Sequence, residues 1–119
     1  MTFYVYQLGL ECNKFYVGQT EDLDKRINEH FAGNGAKWTK RFMPKYRHHH
    51  ETFNDYIESI NRENVLTCTL FLEHGINNVR GGDFVEERDY TKEDIYNLVG
   101  DISNILNMSY SEVKIKLNI

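Results

Sequence analysis

Apolar and polar positions alternate over the first twenty residues in a way that is typical of two paired strands. Residues 2–8 alternate strictly enough to place Tyr6 on one face, and aromatic and β-branched side chains return in residues 15–18. The turn-prone residues 9–14 separate the two runs. We therefore predict an antiparallel hairpin in which Tyr6 pairs opposite Tyr16, so that both phenols lie on the same face of the sheet.

The following segment has the periodicity of a helix that packs on a core. Its apolar stripe consists of Leu23, Ile27 and Phe31. Thr20 is the predicted N-cap, acidic residues follow at the positive end of the helix dipole, and the glycines of residues 33–35 end the helix. Arg26 and His30 are four residues apart and therefore share one edge of the stripe.

The rest of the chain predicts one more strand and three more helices. The strand is expected at residues 46–53, and the helices at residues 55–74, from Thr91 to Leu106, and after Ser109 or Ser111. Gly75 is a C-cap signal for the long helix, and two adjacent glycines in residues 79–82 predict a tight turn. Residues 65–72 are mostly apolar, and their pattern alone fits either a strand or a buried helix.

Size and composition indicate one soluble domain. The chain has 119 residues, too few for two independent cores, and its 40% apolar and 27% charged residues fit a globular protein. No apolar run approaches the ~20 residues that span a bilayer, and the first residues lack the features of a signal peptide. We therefore expect an intracellular protein, in the cytoplasm or nucleus, whose two cysteines are free thiols.

The net charge of −4 hides an uneven distribution. Residues 1–50 carry eight Lys and Arg against five Asp and Glu, whereas residues 51–119 carry six against thirteen. A basic, aromatic loop over residues 37–50 is predicted to bind a nucleic-acid backbone and stack on bases, through Lys37, Trp38, Lys40, Arg41, Lys45 and Arg47. Charge alone leaves open a merely solvated loop. Arg80, beside the glycine pair, is either a further phosphate contact or a surface side chain.

Four polar side chains follow one another in an order that is more specific than any of them alone. Tyr6 and Tyr16 are ten residues apart, Arg26 follows after ten more, and His30 after another four. With the segments YVYQL (residues 4–8) and FYVG (residues 15–18), this order resembles the GIY-YIG nuclease family. The resemblance covers roughly residues 3–82, and the segments GAKWTK and GINNVRGG resemble a subgroup with a WTK loop and an NVRGG turn.

The resemblance implies a fold. The expected fold is a mixed α/β (α+β) domain with a small three-stranded antiparallel sheet flanked by helices. The nuclease-like core would occupy residues 1–90, and residues 91–119 would form a helical extension packed on the same domain.

The resemblance also implies an activity. It indicates an endonuclease that hydrolyses DNA phosphodiester bonds with one divalent cation, Mg²⁺ or Mn²⁺, and leaves 5′-phosphate and 3′-hydroxyl ends. Glu63 matches the metal-binding glutamate, with Glu58 and Glu73 as competitors. The implied catalytic residues are Tyr6, Tyr16, Arg26, His30, Glu63 and Asn78.

The chemistry of these side chains fits such a reaction. The guanidinium of Arg26 suits phosphate oxygens, and a single carboxylate can hold a hydrated Mg²⁺. Either Tyr6 or His30 is the general base, and Tyr16 orients water or phosphate. Asn78 would bond to Glu63 or hold the following turn.

Two classes other than an enzyme stay open from the sequence. One is an inactive nucleic-acid-binding module, and the other is a protein-interaction domain that docks through the acidic second half. Because no separate DNA-reading domain fits in this length, weak sequence specificity is expected. The sequence also leaves open whether the protein acts as a dimer.

Overall fold

Two antiparallel strands at the start of the chain form the centre of the sheet. In the computed structural model, which describes residues 1–119, β1 spans Phe3–Leu10 and β2 spans Phe15–Thr20. A short 3₁₀ helix, Glu11–Asn13, lies in the loop between them. The predicted hairpin is therefore confirmed.

The predicted pairing within this hairpin is wrong by two residues. Tyr6 pairs opposite Gly18, and Tyr16 pairs opposite Leu8. Because side chains on a strand alternate with a period of two, a shift of two residues leaves both phenols on the same face.

Two further strands complete the sheet. β3, Pro44–Phe53, pairs antiparallel with β1, and β4, Val79–Gly81, pairs parallel with β2, which gives the order β3-β1-β2-β4. The strand predicted at residues 46–53 is thus confirmed, but the predicted three-stranded antiparallel sheet is wrong. The sheet is mixed and has four strands, and β4 is too short for its periodicity to be detected.

Five helices surround the sheet. They are α1 Leu23–Phe31, α2 Lys37–Arg41, α3 Tyr56–His74, α4 Lys92–Leu106 and α5 Tyr110–Leu117. None of them combines the length and the apolarity needed to cross a bilayer.

Side-chain caps set where the helices begin. Asp55 caps α3, and Thr91 and Ser109 form capping boxes at α4 and α5, which confirms the predicted starts of these last two helices. The predicted cap of α1 is wrong, because the Asp22 side chain accepts the main-chain N–H of Lys25 in the first turn of that helix, whereas the Thr20 hydroxyl accepts the N–H of Asp22 itself.

The two faces of the sheet carry separate apolar cores. The larger core joins Val5 and Val17 to Phe71 of α3, and it extends to Val99 of α4 and Val113 of α5. This two-sided burial explains why residues 65–72 are helical rather than extended: α3 lies between the sheet and the last two helices.

The smaller core lies under α1 and α2. It joins Tyr6, Leu8 and Leu10 of β1 to Leu23, Ile27 and Trp38. The basic loop predicted over residues 37–50 is therefore wrong, since those residues form α2 and most of β3. Its tryptophan is an anchor that ties α2 to the sheet, and the indole N–H donates to the carbonyl oxygen of Phe15 at 3.1 Å.

Arg80 of β4 is a fully buried cation at the edge of this core. Its guanidinium lies between the rings of Trp38 and Tyr90, at 4.5 and 4.1 Å from their centroids. Its five N–H donors reach the Asn77 side chain and the main-chain oxygens of Ile76, Val79, Glu86 and Arg88. Arg80 thus fastens the acidic segment 86–89 against the sheet.

We expect Arg80→Lys to destabilise the fold strongly, because an ammonium group cannot replace a planar fork that serves acceptors on several sides. The loss in the free energy of unfolding should be on the order of 3 kcal/mol, as for other buried charged groups that lose several hydrogen bonds. Urea denaturation measures it. The matched control is Arg88→Lys, at an exposed position, which should change stability little. Equal stability of the two variants would contradict the role given to Arg80.

Candidate active site

Two phenols and an imidazole lie together on the sheet face that α1 and α2 cover. The ring of His30, from α1, lies 5.6 Å from that of Tyr6 and 5.1 Å from that of Tyr16, between ring centroids. The two phenol rings are 6.3 Å apart. Tyr6 and His30 are buried, whereas Tyr16 is partly exposed, so the group opens to solvent on the side of Tyr16.

Two glycines leave the space that these rings occupy. Gly18 is paired directly opposite Tyr6, and a Cβ atom at this position would overlap the phenol oxygen. A Cβ atom at Gly35 would overlap Nδ1 of His30. Both rings therefore need a neighbour without a side chain.

A chain of hydrogen bonds joins β1, α1 and the start of α2. The phenol oxygen of Tyr6 lies 2.7 Å from Nε2 of His30, and Nδ1 of the same ring lies 2.9 Å from the hydroxyl of Thr39. That hydroxyl donates to the main-chain oxygen of Ala36 at 2.9 Å. All three side chains are buried, so water does not compete for these bonds.

The directions of these bonds depend on the tautomer of His30. With the ring hydrogen on Nδ1, the Thr39 hydroxyl donates to Ala36, Nδ1–H donates to Thr39, and Tyr6 donates its phenol hydrogen to Nε2, so that every hydrogen of the chain has an acceptor. With the ring hydrogen on Nε2, the phenol hydrogen would have no acceptor among these groups.

The electrostatics keep both groups of this pair neutral. Burial, aided by the charge of Arg26, lowers the pKa of His30 to about 4, so the ring is uncharged at neutral pH. Burial also raises the pKa of Tyr6 far above its ordinary value, and the neighbouring Tyr16 adds to this shift. The ionised, phenolate form of Tyr6 is therefore disfavoured, and the neutral phenol has a hydrogen-bond acceptor in Nε2 of His30.

Arg26 lies one helical turn before His30 at the open side of the cluster. Its Nη1 donates to Glu29 at 3.2 Å, and its guanidinium lies beside the phenols of Tyr6 and Tyr16. Its positive charge acts on both phenols and opposes the rise that burial causes in the pKa of Tyr6 and of Tyr16. A phosphate at the open side would meet this guanidinium and the Tyr16 hydroxyl.

Glu63, on α3, is a carboxylate whose charge reaches the two phenols. α3 packs on the face of the sheet opposite to the phenols. Because β4 ends opposite Val17, however, the edge of β2 after Val17 has no neighbouring strand between it and α3. The charge of Glu63 acts on both phenols: after burial, it is the next cause of the raised pKa of Tyr16. Burial and the nearby Asp83 raise the pKa of Glu63 itself to about 7, while the Gly82 amide opposes that rise.

Comparison with known proteins agrees with this geometry. The sequence of residues 2–74, more than half of the chain, matches the family model of the GIY-YIG catalytic domain. This protein belongs to the GIY-YIG family. No solved structure matches it.

Several small relatives of this GIY-YIG protein carry the name UPF0213. One from Halobacterium salinarum is 37% identical over 60 residues, which make up 50% of this chain and 78% of the relative. One from Staphylococcus haemolyticus is 38% identical over 60 residues, or 50% and 73% of the two chains. A longer match, 29% identical over 93 residues, covers 78% of this chain and 87% of a protein from Bacillus velezensis. The narrower likeness to a subgroup with WTK and NVRGG segments stays a prediction.

GIY-YIG nucleases generally use a divalent metal ion, and the donors of this site suit a hard cation. The Glu63 carboxylate is partly buried, has no ion-pair partner, and lies near a second carboxylate, that of Asp83. The protein has no cluster of three or more His, Cys, Asp or Glu side chains that could bind a metal ion together. Few protein ligands, all oxygen, fit a Mg²⁺ or Mn²⁺ ion that keeps several waters.

The competing carboxylates lie elsewhere on α3. Glu58 is exposed in its first turn, and Glu73 is exposed in its last turn beside His74. Only Glu63 acts electrostatically on the phenols. The metal assignment stays a prediction, and among the three candidates the geometry favours Glu63.

Asn78 is not part of the cluster. No hydrogen bond joins Asn78 to Glu63. Asn78 follows the end of α3, and the part of that helix from Glu63 to His74 alone is roughly 16 Å long, at ~1.5 Å per residue. The Asn78 amide donates to the main-chain oxygen of His74, and its side-chain oxygen accepts from Lys14. Of the two roles predicted for it, only that of holding the turn agrees with the structure.

Two residues predicted to bind nucleic acid are inaccessible. Trp38 is 2% exposed and therefore offers no face on which a base could stack. Arg80 is 0% exposed and has no free donor for a phosphate. Both predictions are wrong for the same reason: the two side chains pack on each other in the smaller core.

The other predicted nucleic-acid contacts divide into paired and free cations. Arg41 donates to the Glu87 main-chain oxygen and pairs with Asp89 at 3.4 Å, and Arg47 pairs with Asp24 at 3.7 Å. The exposed cations without an ion pair are Lys37, Lys40 and Lys45. Lys37 borders a cleft of about 270 Å³ that Tyr16 also lines.

Sequence reasoning missed the residues that support the cluster. Thr39 holds the imidazole, and Asn64, next to Glu63, bonds to both the main-chain N–H and the carboxylate of Asp83. A buried hydroxyl or amide has no periodicity of its own, so nothing in the pattern indicated either one. The position of Gly35 was noted only as a helix end.

We expect the buried His30 to make the fold sensitive to acid. Its pKa of about 4 lies below the ordinary value of 6.5, so the unfolded chain takes up the proton first as pH falls. The stability that the neutral ring contributes above pH 6.5 is therefore lost as the pH falls toward 4, by up to about 1.4 kcal/mol per pH unit.

Urea denaturation of the parent chain and of His30→Gln between pH 4 and 8 measures this effect as a difference. Glu63, with its pKa raised to about 7, gives the opposite trend, a contribution lost as pH rises toward 7. It is present in both proteins and largely cancels. A difference in free energy that stays constant over this range would contradict a buried neutral histidine.

Proposed function

We propose that this protein is an endonuclease that hydrolyses DNA phosphodiester bonds with a single divalent cation. The observation that carries the proposal is the hydrogen bond from the phenol of Tyr6 to a buried neutral imidazole, beside an arginine and a carboxylate. Phosphodiester hydrolysis requires a base, a cation and a phosphate-binding group at one place, and this combination distinguishes the cluster from a buried phenol that is merely hydrogen-bonded.

Arg26 and Tyr16 would bind the scissile phosphate. They lie at the open side of the cluster, and the guanidinium presents a fork of donors that matches two phosphate oxygens. The Tyr16 hydroxyl can add one further hydrogen bond. Because Arg26 stays protonated at all relevant pH values, its charge is available as negative charge builds up in the transition state.

Tyr6 and His30 would together act as the general base. The oxygen of the attacking water bonds to phosphorus while its proton moves to the Tyr6 oxygen, and the phenol proton moves to Nε2 of His30. The P–O3′ bond breaks, and the 3′ oxygen leaves with the electron pair and takes up a proton from solvent. His30 then loses its extra proton to solvent through Tyr6, which restores the pair. The products carry 5′-phosphate and 3′-hydroxyl ends.

Glu63 would hold the cation, with Asp83 as the neighbouring charge. When bound, Mg²⁺ or Mn²⁺ supplies Lewis-acid stabilisation of the charge that develops on the phosphate and the leaving oxygen. The elevated pKa of Glu63 reflects two carboxylates near each other in a partly buried place, a situation that cation binding relieves.

The DNA backbone would be held by three exposed lysines without ion pairs, of which Lys37 borders the cleft that Tyr16 lines. Lys37 and Lys40 are on α2, and Lys45 is at the start of β3. With Trp38 and Arg80 buried, these contacts go to phosphates and carry no base information. Weak sequence preference is therefore expected.

Nicking of supercoiled plasmid, with Mg²⁺ and with EDTA, tests the enzyme. We expect cleavage only with the metal. Tyr6→Phe and Glu63→Gln should each lower the rate by about 10²-fold or more, because they remove the proton acceptor and the metal ligand respectively. The matched control is Glu73→Gln, which makes the same charge change on the same helix at an exposed position and should leave the rate nearly unchanged.

Each other outcome contradicts part of this reading. Absence of nicking together with salt-sensitive DNA binding would make the protein an inactive binding module. Absence of both would favour a protein-interaction domain. Full activity of Glu63→Gln with loss in Glu73→Gln would move the metal ligand to the end of α3.

The double variant Lys37→Ala, Lys40→Ala should weaken DNA binding and flatten its salt dependence. Loss of two phosphate contacts lowers the slope of log K against log salt concentration by about 2 for duplex DNA. Fluorescence anisotropy between 50 and 200 mM salt, with Ca²⁺ in place of Mg²⁺, measures it. Lys114→Ala with Lys116→Ala on α5 removes the same charge far along the chain and should leave the slope unchanged. Equal slopes in both double variants would refute the assigned surface.

A further inference from the structure

Thr39 is a fully buried hydroxyl whose only side-chain partner is the candidate base. Its oxygen lies 2.9 Å from Nδ1 of His30 and 2.9 Å from the main-chain oxygen of Ala36. It contacts neither solvent nor the open side of the cluster. The contact with the imidazole therefore accounts for a hydroxyl at this position of α2, whereas a role at the protein surface does not.

We propose that Thr39 is a positioning residue, which sets the tautomer of His30 and thereby lets Tyr6 act as a proton relay. This inference rests on the proposed nuclease function only for its effect on cleavage. Its claim about the tautomer stands on the hydrogen-bond geometry.

The two neutral tautomers of His30 would have opposite effects on Tyr6. With the hydrogen on Nδ1, the lone pair of Nε2 accepts the phenol hydrogen, and the phenol oxygen is free to take a proton from water. With the hydrogen on Nε2, the ring would donate to the phenol oxygen, and the phenol would have no acceptor in the ring. Only the first tautomer permits the relay.

The main chain fixes the direction in which Thr39 acts. The Ala36 oxygen can only accept, and it lies 2.9 Å from the Thr39 hydroxyl, so it offers the hydroxyl hydrogen a partner that leaves the Thr39 oxygen as an acceptor toward the ring. α2 itself is held by Trp38, which bonds to β2 through its indole N–H and stacks on Arg80. The hydroxyl is therefore part of a rigid frame before any substrate binds, as a positioning residue requires.

Two substitutions separate positioning from packing. Thr39→Val keeps the size and shape of the side chain but removes the hydroxyl, whereas Thr39→Ser keeps the hydroxyl and loses one methyl group. If Thr39 only fills space, valine is the milder change. If it sets the tautomer, serine is the milder change.

The primary measurement is the ¹⁵N NMR spectrum of the imidazole nitrogens at pH 7, on the full chain without metal or DNA. Signals of His30 are assigned with His30→Gln, since the chain has five histidines. We expect the Nδ1–H tautomer in the parent chain and in Thr39→Ser. In Thr39→Val we expect a shift to Nε2–H, because a buried Nδ1–H would have no acceptor.

Plasmid nicking supplies the second readout. Thr39→Val should be slowed at least about tenfold, within the 10²–10⁴-fold that a positioned proton acceptor contributes, and Thr39→Ser should stay within about threefold of the parent. Circular dichroism and urea denaturation show whether each variant is folded. If the valine variant does not fold, the tautomer of the parent and of the serine variant still decides the question.

The outcomes distinguish this inference from the proposed function. An Nε2–H tautomer in the folded parent chain would overturn it, and so would an unchanged tautomer and rate in Thr39→Val. A parent chain that has the Nδ1–H tautomer, shifted in the valine variant, but nicks no plasmid would refute the nuclease and leave the control by Thr39 intact.

Discussion

The arrangement of the site depends on one buried series of hydrogen bonds, which runs from Tyr6 through His30 and Thr39 to the carbonyl of Ala36. It joins a central strand to the first helix and to the turn that begins α2, so three elements share one polar axis inside an apolar core. The two inner members, His30 and Thr39, each have a partner on both sides, and removal of either side chain leaves a buried polar atom unpaired. This requirement explains the two glycines whose missing side chains leave room for the rings.

The basic residues around this axis have two different roles: some stabilise the fold, and others remain free at the surface. Arg80 and Arg41 look like nucleic-acid contacts in the sequence, yet both hold the acidic segment 86–89, one from inside the core and one from its rim. The local excess of basic residues in the first half of the chain is thus partly neutralised by the second half. What remains free is a small set of exposed lysines, of which Lys37 borders the cleft that Tyr16 lines. A short and local contact with a phosphate backbone suits such a surface better than extended wrapping around DNA.

Local patterns predicted most of the elements but not their mutual geometry. The hairpin, the caps of α4 and α5 and the long helix followed from alternation, capping residues and the Gly75 signal, because these depend on neighbours in sequence. The register of Tyr6 and the parallel strand β4 depend on contacts between distant segments, so the sequence alone could not supply them. For the site, the order of Tyr6, Tyr16, Arg26 and His30 indicated a cluster that the structure brings together. Trp38 was misplaced because an aromatic residue among lysines looks alike whether it is buried or exposed.

Trp38 is the single tryptophan of the chain, and its position gives the molecule a built-in optical reporter. The indole lies in a dry environment, against a guanidinium on one side and the ring of Phe42 at its edge. Its emission therefore originates from the one helix that carries the hydroxyl partner of the imidazole. A red shift in that emission signals that α2 has left the sheet. Because the larger core contains no tryptophan, detachment of α2 can be observed separately from unfolding of that core.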